Sequence, residues 1–213
     1  MAADGSWTSI LEHGLLSTTT LLDKWEYGGA ERDRLESQHR TRKESIHHPV
    51  YGKAVIRDQI VMPPSDLKLC LLEDLTPQDW YRFISGKIFF WATWERLKWF
   101  LGAQSYQNKP HLVITVDTEA LVKRYADRMT LTDQNTGSTL FRKEYRSGPR
   151  PRGKGTFKTI ADYPYYAIDR IVELAVDDSV TDIADVTVSV ARWIAHRKGY
   201  AEPDYEHLED IWP

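Results

Sequence analysis

The clearest pattern of apolar and polar positions runs over residues 87–117, KIFFWATWERLKWFLGAQSYQNKPHLVITVD. Ile88, Phe89, Phe90 and Trp91 form an unbroken apolar run, which predicts a strand covered on both faces. Trp94, Leu97 and Leu101 follow at helical spacing, with Glu95, Arg96 and Lys98 between them, and Gly102 closes that helix. Asn108-Lys109-Pro110 breaks the chain, and Leu112, Ile114 and Val116 then alternate with Val113 and Thr115 as in a strand. This unit needs further strands to cover it, and its chemistry is expected at its edge.

The flanks carry shorter signals. Trp7, Ile10, Leu11 and Leu15 share one helical face, with Ser6 as cap, and predict a helix over residues 6–13 with no strand before it. A second helix is expected around Leu21, Leu22 and Trp25, ended by Gly28-Gly29. Residues 31–44 read as a solvated charge run, and His47-His48-Pro49 opens an irregular stretch. Residues 54–56 predict a brief strand and residues 66–72 a helix. Thr76-Pro77-Gln78-Asp79 starts another helix, whose apolar face is Trp80, Phe83 and Ile84. Thr118 is expected to cap a helix carrying Leu121, Val122 and Tyr125, and residues 129–131 to form a sheet edge. Residues 134–159, with four glycines and two prolines, read as a long loop.

Two late strands complete the pattern. In residues 170–176, RIVELAV, Val172, Leu174 and Val176 face one way and Ile171, Glu173 and Ala175 the other. Glu173 is thus an acid in an apolar strand, where a lone buried carboxylate is costly. Two readings stay open: a functional carboxylate, or a sheet-edge Glu that meets an Arg or water. Residues 182–190 alternate as a last strand, and residues 196–213 follow as an acidic tail anchored by Trp212. Residues 1–195 are expected to form one domain.

Composition narrows the function classes. Apolar residues make up 41% of the 213, with eight Trp and eleven Tyr, enough for a core. The net charge of −3 argues against a protein that coats nucleic acid uniformly. The charge is unevenly placed. From Arg142 to Lys158 seven basic residues face one acid, whereas five acids and no Lys or Arg follow Gly199. A single cysteine, Cys70, excludes an internal disulfide and fits a cytoplasmic location. No run reaches membrane-spanning length, and the first residues do not form a signal peptide. Adjacent histidines without an acid or Cys at ligand spacing argue against a metal at His47-His48. There is no P-loop and no nucleophile elbow, and Gly153-Lys154-Gly155 stands alone.

The order of the pieces resembles that of the DarT-like ADP-ribosyltransferases. The pieces are SWTSILEHGLLS, a basic stretch with Arg40 and Arg42, KIFFW, LVITVD and VELAVDDSVTDIAD. A related group of bacterial domains is more similar still, sharing HGLLST, HPVYGKAVIRDQ, FFW, an NTG turn, an RG…TF element and VELAV. The resemblance spans most of residues 6–190. It implies an α+β fold: a split, mainly antiparallel sheet with flanking helices and NAD, as substrate, in the cleft. It implies that Glu173 is catalytic, binding the nicotinamide ribose 2′-hydroxyl and stabilising an oxocarbenium-like transition state. It gives Arg42 first, and Arg40 second, the role of clasping the NAD diphosphate. Phe90 and Trp91 match the aromatic strand near the nicotinamide, although Phe89 reads as ordinary core. Arg57 and Asp58 recur as a pair, read as a structural ion pair. The family's first strand carries a His just upstream of the position of Ser6. No residue of this chain matches it, since His13 lies at the helix end.

The resemblance implies an acceptor in nucleic acid, single-stranded DNA or RNA, and a toxin or defence role with an antitoxin partner. Arg142, Lys143, Arg146, Arg150, Arg152 and Lys154 are then the residues for the phosphate backbone, with Tyr145 and Phe157 among them for stacking. Two alternatives stand beside this reading: a non-catalytic binding module of the same fold, and a transferase acting on protein. A solvated loop paired with the acidic tail is the plain alternative for the basic segment.

Overall fold

The computed structural model describes the chain except residues 73, 140–149, 198 and 200. Strand β1 (Ala2–Ala3) leads to α1 (Trp7–His13), β2 (Leu15–Leu16), α2 (Thr18–Lys24) and α3 (Gly29–Ser37). The hairpin β3 (Glu44–His48) and β4 (Gly52–Ile56) follows, then α4 (Pro64–Lys68) and α5 (Pro77–Ser85). The central unit is β5 (Lys87–Trp91), α6 (Trp94–Leu101) and β6 (His111–Val116). After it come α7 (Thr118–Tyr125), β7 (Met129–Thr132), β8 (Lys158–Thr159), β9 (Glu173–Asp177) and β10 (Ser179–Val180). The chain ends with α8 (Ile183–Val186), β11 (Thr187–His196) and β12 (Asp204–Trp212).

The architecture is α+β, with antiparallel pairing in all the named strands. One sheet has the order β1-β6-β11-β12 and the other β5-β9-β7-β8, and β3-β4 and β2-β10 are small pairs. The main core takes Ile88, Met129 and Val176 from one sheet, Leu112 and Val190 from the other, and Trp7 and Ile10 from α1. Successive strand residues point to opposite faces. Val176 therefore serves that core, while Ala175 meets Trp80 and Ile84 of α5, with Phe157, on the far side. Helix α5 starts as its sequence demands: Thr76 Oγ1 accepts from Asp79 N at 3.2 Å, and the Asp79 carboxylate accepts from Thr76 N at 2.9 Å.

Several elements depart from the pattern-based expectations. Helix α1 does follow a strand; two alanines are too short a run to show a period, and β6 supplies the pairing. Asp117, not Thr118, caps α7, its Oδ1 accepting from Ala120 N at 2.9 Å. Strand β5 is not covered on both faces. Among the described residues it has only β9 as a strand neighbour, and Phe89, Phe90 and Trp91 are half-buried because they border a cavity. Strand β7, expected at an edge, lies between β9 and β8. The charge run of residues 31–44, read as a solvated helix or loop, holds most of α3, whereas His47 and His48, expected in an irregular stretch, belong to β3. There the His48 Nδ1 accepts from Val50 N and Tyr51 N, and its ring stacks on Tyr51, so the side chain builds the turn. The valine alternation of residues 182–190 begins in α8, because Asp182 and the next turn fold back before β11 starts. The expected acidic tail is the paired strand β12, whose Trp212 packs 5.8 Å from Trp7. Its acids lie along a sheet edge, where charge discourages edge-to-edge association.

One glycine is required by geometry. Gly14 turns the chain out of α1 with φ 83°, and a Cβ there would lie 2.6 Å from the Thr181 backbone. Gly14→Ala is therefore expected to cost at least ~2 kcal/mol, combining positive φ with a clash that no side-chain rotation relieves. Urea denaturation of the variant beside the native chain measures it; a loss under ~0.5 kcal/mol would contradict the account.

Candidate functional site

Glu173 opens β9, the strand enclosed by β5 and β7, opposite Trp91 on one side and Thr132 on the other. Its central place leaves the residue only 4% exposed. Oε2 accepts two hydrogen bonds from one residue, from Thr136 N at 3.1 Å and Thr136 Oγ1 at 2.7 Å. Burial pushes the carboxyl up to about 7, against the opposing pull of the Thr136 hydrogen bonds and the Arg152 charge. A carboxyl in this state exchanges its proton near neutrality, as acid–base and cation-stabilising groups do.

Glu173 and Thr136 stand in the wall of a cavity of about 550 Å³ that also borders Phe90, Trp91 and Trp94. Arg57, just beyond the end of β4, is in the same wall. Its Nη1 and Nη2 are buried and meet no hydrogen-bond partner in the described structure. The Tyr106 ring lies 5.3 Å from its guanidinium carbon. The expected Arg57–Asp58 ion pair does not form; Asp58 Oδ1 instead accepts from the Tyr106 hydroxyl at 2.6 Å. Lys43 lies close enough to matter, since burial first and then the Arg57 charge lower its pKa. Behind them His111 is fully buried, its Nε2 2.9 Å from the Tyr106 carbonyl, and burial lowers it to about 4. At neutral pH it is uncharged and adds no second charge beside Arg57. A desolvated, unpartnered guanidinium favours an anion with paired oxygens, such as a phosphate.

The structure sorts the residues singled out in the sequence. Glu173, Phe90 and Trp91 share the cavity. Arg42 does not: its side chain is 82% exposed, 3.8 Å from Glu44, and it takes no part in the wall. Arg40 does border the cavity, but donates its Nε to Arg57 O and an Nη to Leu35 O, so it braces the end of the β3–β4 hairpin from inside. Among the basic residues of the long loop, Arg142, Lys143 and Arg146 lie outside the described residues. Arg150 pairs with Asp133 at 2.9 Å, and Lys154 is exposed. Arg152 is 3% exposed and donates to the carbonyls of Arg150, Asn135 and Ser138, which turns it away from any phosphate backbone. Among the described residues of this segment the ion pair runs from Arg150 to Asp133 and not to β12. Thr136 and the unpaired state of Arg57 escaped the sequence, although the NTG turn and the Arg57-Asp58 pair marked both places. Among the described residues no group of three His, Cys, Asp or Glu is placed to hold a metal ion. No helix there is long and apolar enough to cross a membrane.

The Glu173 environment fixes a pH dependence. Between about 4.5 and about 7 the folded chain holds a proton on Glu173 that the unfolded chain has released. The folded state then binds more protons, so this residue's contribution to stability falls as pH rises through that window. Glu173→Gln, which cannot ionise, is expected to raise the melting temperature at pH 8 and to leave it unchanged near pH 4. Thermal melts of both proteins across pH 4–8 check this, and an equal difference at both ends would contradict it.

No curated protein and no solved structure matches the chain at a significant level. Residues 1–187 match the model of a family of unknown function, DUF7002, which takes in the hairpin, both cavity walls and Glu173. The chain therefore belongs to the DUF7002 family.

Proposed function

We propose that the chain is an NAD-dependent mono-ADP-ribosyltransferase that modifies nucleic acid, in a toxin or defence role. The observation that carries this reading is one cavity with a buried carboxylate, an unpaired guanidinium and an aromatic wall. Two antiparallel four-stranded sheets sharing one core support the split-sheet arrangement that the resemblance implies. Arg57 takes the diphosphate role expected of Arg42 or Arg40, because its Nη atoms are unoccupied and theirs are exposed or engaged. Phe90 and Trp91 offer flat surfaces for the nicotinamide. The bond from ribose C1′ to the nicotinamide nitrogen breaks, and its electron pair leaves with neutral nicotinamide. Glu173 stabilises the positive charge that develops on the ribose. A lone pair of the acceptor forms the new bond to C1′, and the acceptor's proton passes to the carboxylate or to water. The cationic nicotinamide ring lowers the Glu173 pKa on binding and so ionises it when it is needed. Lys154 and Lys158, both exposed, support a nucleic-acid acceptor, with phosphate contacts that weaken as salt rises.

Nicotinamide release and NAD binding test the reading together. Glu173→Gln is expected to keep the NAD Kd within about twofold and to lose turnover by orders of magnitude, as for an interaction made mainly in the transition state. Arg57→Ala is expected to raise the NAD Kd by roughly 10- to 100-fold, the worth of charge-assisted hydrogen bonds to a diphosphate. Absence of both release and binding in the native chain would leave the non-catalytic binding module as the reading.

A further inference from the structure

We infer that Thr136 and Arg152 are positioning residues for Glu173: Thr136 holds one carboxylate oxygen, Arg152 holds the loop that carries Thr136, and the other oxygen is left for a ligand in the cavity. The inference rests on the proposed reaction for its purpose but not for its geometry. Both Thr136 donors converge on Oε2, and Oε1 accepts no hydrogen bond from a described residue. A carboxylate fixed through one oxygen keeps its plane and presents the second oxygen in a set direction. Glu173 and Thr136 both border the cavity, so that direction is the cavity side.

The loop has its own support. Residues 134–139 follow β7 in the chain, and Gln134, Thr136 and Thr139 are buried although the segment has no regular structure. Buried irregular backbone needs hydrogen-bond partners. Arg152 supplies them, donating to Asn135 O at 3.0 Å and to Ser138 O, on the two sides of Thr136. Thr139 N adds a bond to Val61 O at 2.9 Å. The parallel bridge from Arg152 to Leu71 anchors the Arg152 backbone in turn. The charged groups that act on Glu173 from the elements around it are Arg152 and, from α6, Arg96. Arg152 thus serves twice, fastening the loop by hydrogen bonds and favouring the carboxylate by charge. Its Nη2 makes both loop bonds while Nη1 donates to Arg150 O. A lysine in its place keeps the charge but has no second nitrogen to hold Arg150 O and so fix the direction of the group.

The test reads the carboxyl itself. NMR titration of the ¹³C-labelled Glu173 carboxyl, identified by its loss in Glu173→Gln, follows protonation whether or not the chain consumes NAD. Thr136→Val keeps the backbone donor and loses Oγ1; the titration midpoint is expected to move upward from about 7 by half a pH unit or more. Thr136→Ser is expected to restore it, which excludes a general packing defect. In the nicotinamide-release assay, Thr136→Val is expected to lose about tenfold in kcat with the NAD KM within twofold, and its acid limb to follow the titration midpoint. Arg152→Lys is expected to move the midpoint in the same direction, and Arg150→Lys, on the exposed Asp133 pair, not to move it. An unchanged midpoint in both Thr136→Val and Arg152→Lys would overturn the inference. Moved midpoints in a chain that releases no nicotinamide would uphold the clamp and count against the transferase reading alone.

Discussion

The carboxylate at the start of β9 is the constraint to which much of the remaining structure answers. A charged group at this depth is opposed by desolvation, and the resulting rise to about 7 shows that its neighbours offset burial only in part. What they do supply is direction. Thr136 gives two donors to one oxygen, and Arg152 fixes the backbone on both sides of Thr136. Strands β5 and β7 hold Glu173 itself through the pairings Trp91–Glu173 and Thr132–Glu173. A misplaced loop carbonyl here would reorient the acid.

The part of the cavity lined by Arg57 answers a complementary constraint. Arg57 has buried nitrogens with no partner, an arrangement that costs stability unless a ligand completes it. The residues around it do not pair with it: Asp58 is engaged by the Tyr106 hydroxyl, and His111 is neutral. Ring contacts line the space between. Trp91 packs on Phe100 at 5.4 Å, Phe100 on Tyr106 at 4.5 Å, and Trp94 on Trp193 at 4.9 Å. One cavity thus borders an acid, a cation without a hydrogen-bond partner among the described residues, and several aromatic rings.

Much of the fold was legible because it depends on local pattern. The capping box at Thr76, the helical spacing from Trp94 to Leu101, and the alternation in Leu112–Val116 each depend on neighbours a few residues away. Glu173 stood out for the same reason, a polar residue breaking an apolar run. Elements made by distant pairing were not legible. Strand β1 exists because β6 lies beside it, and β12 because β11 offers a long edge to an acidic segment with little apolar period. Trp91 and Phe90 looked like covered core because hydrophobicity does not distinguish a core neighbour from a cavity.

The sequence by itself determined the main helices and strands and the presence of an acid in an apolar strand, since propensity and period act over short range; the α+β class came from the family resemblance. Only the tertiary structure decided which arginine matters. Arg40, Arg42, Arg57 and Arg152 are equivalent as letters, yet one braces carbonyls, one is exposed, one stands unpaired in a cavity and one fastens a loop. The difference lies in what surrounds each guanidinium once the chain has closed, and burial, partners and direction are properties of that closure rather than of any segment.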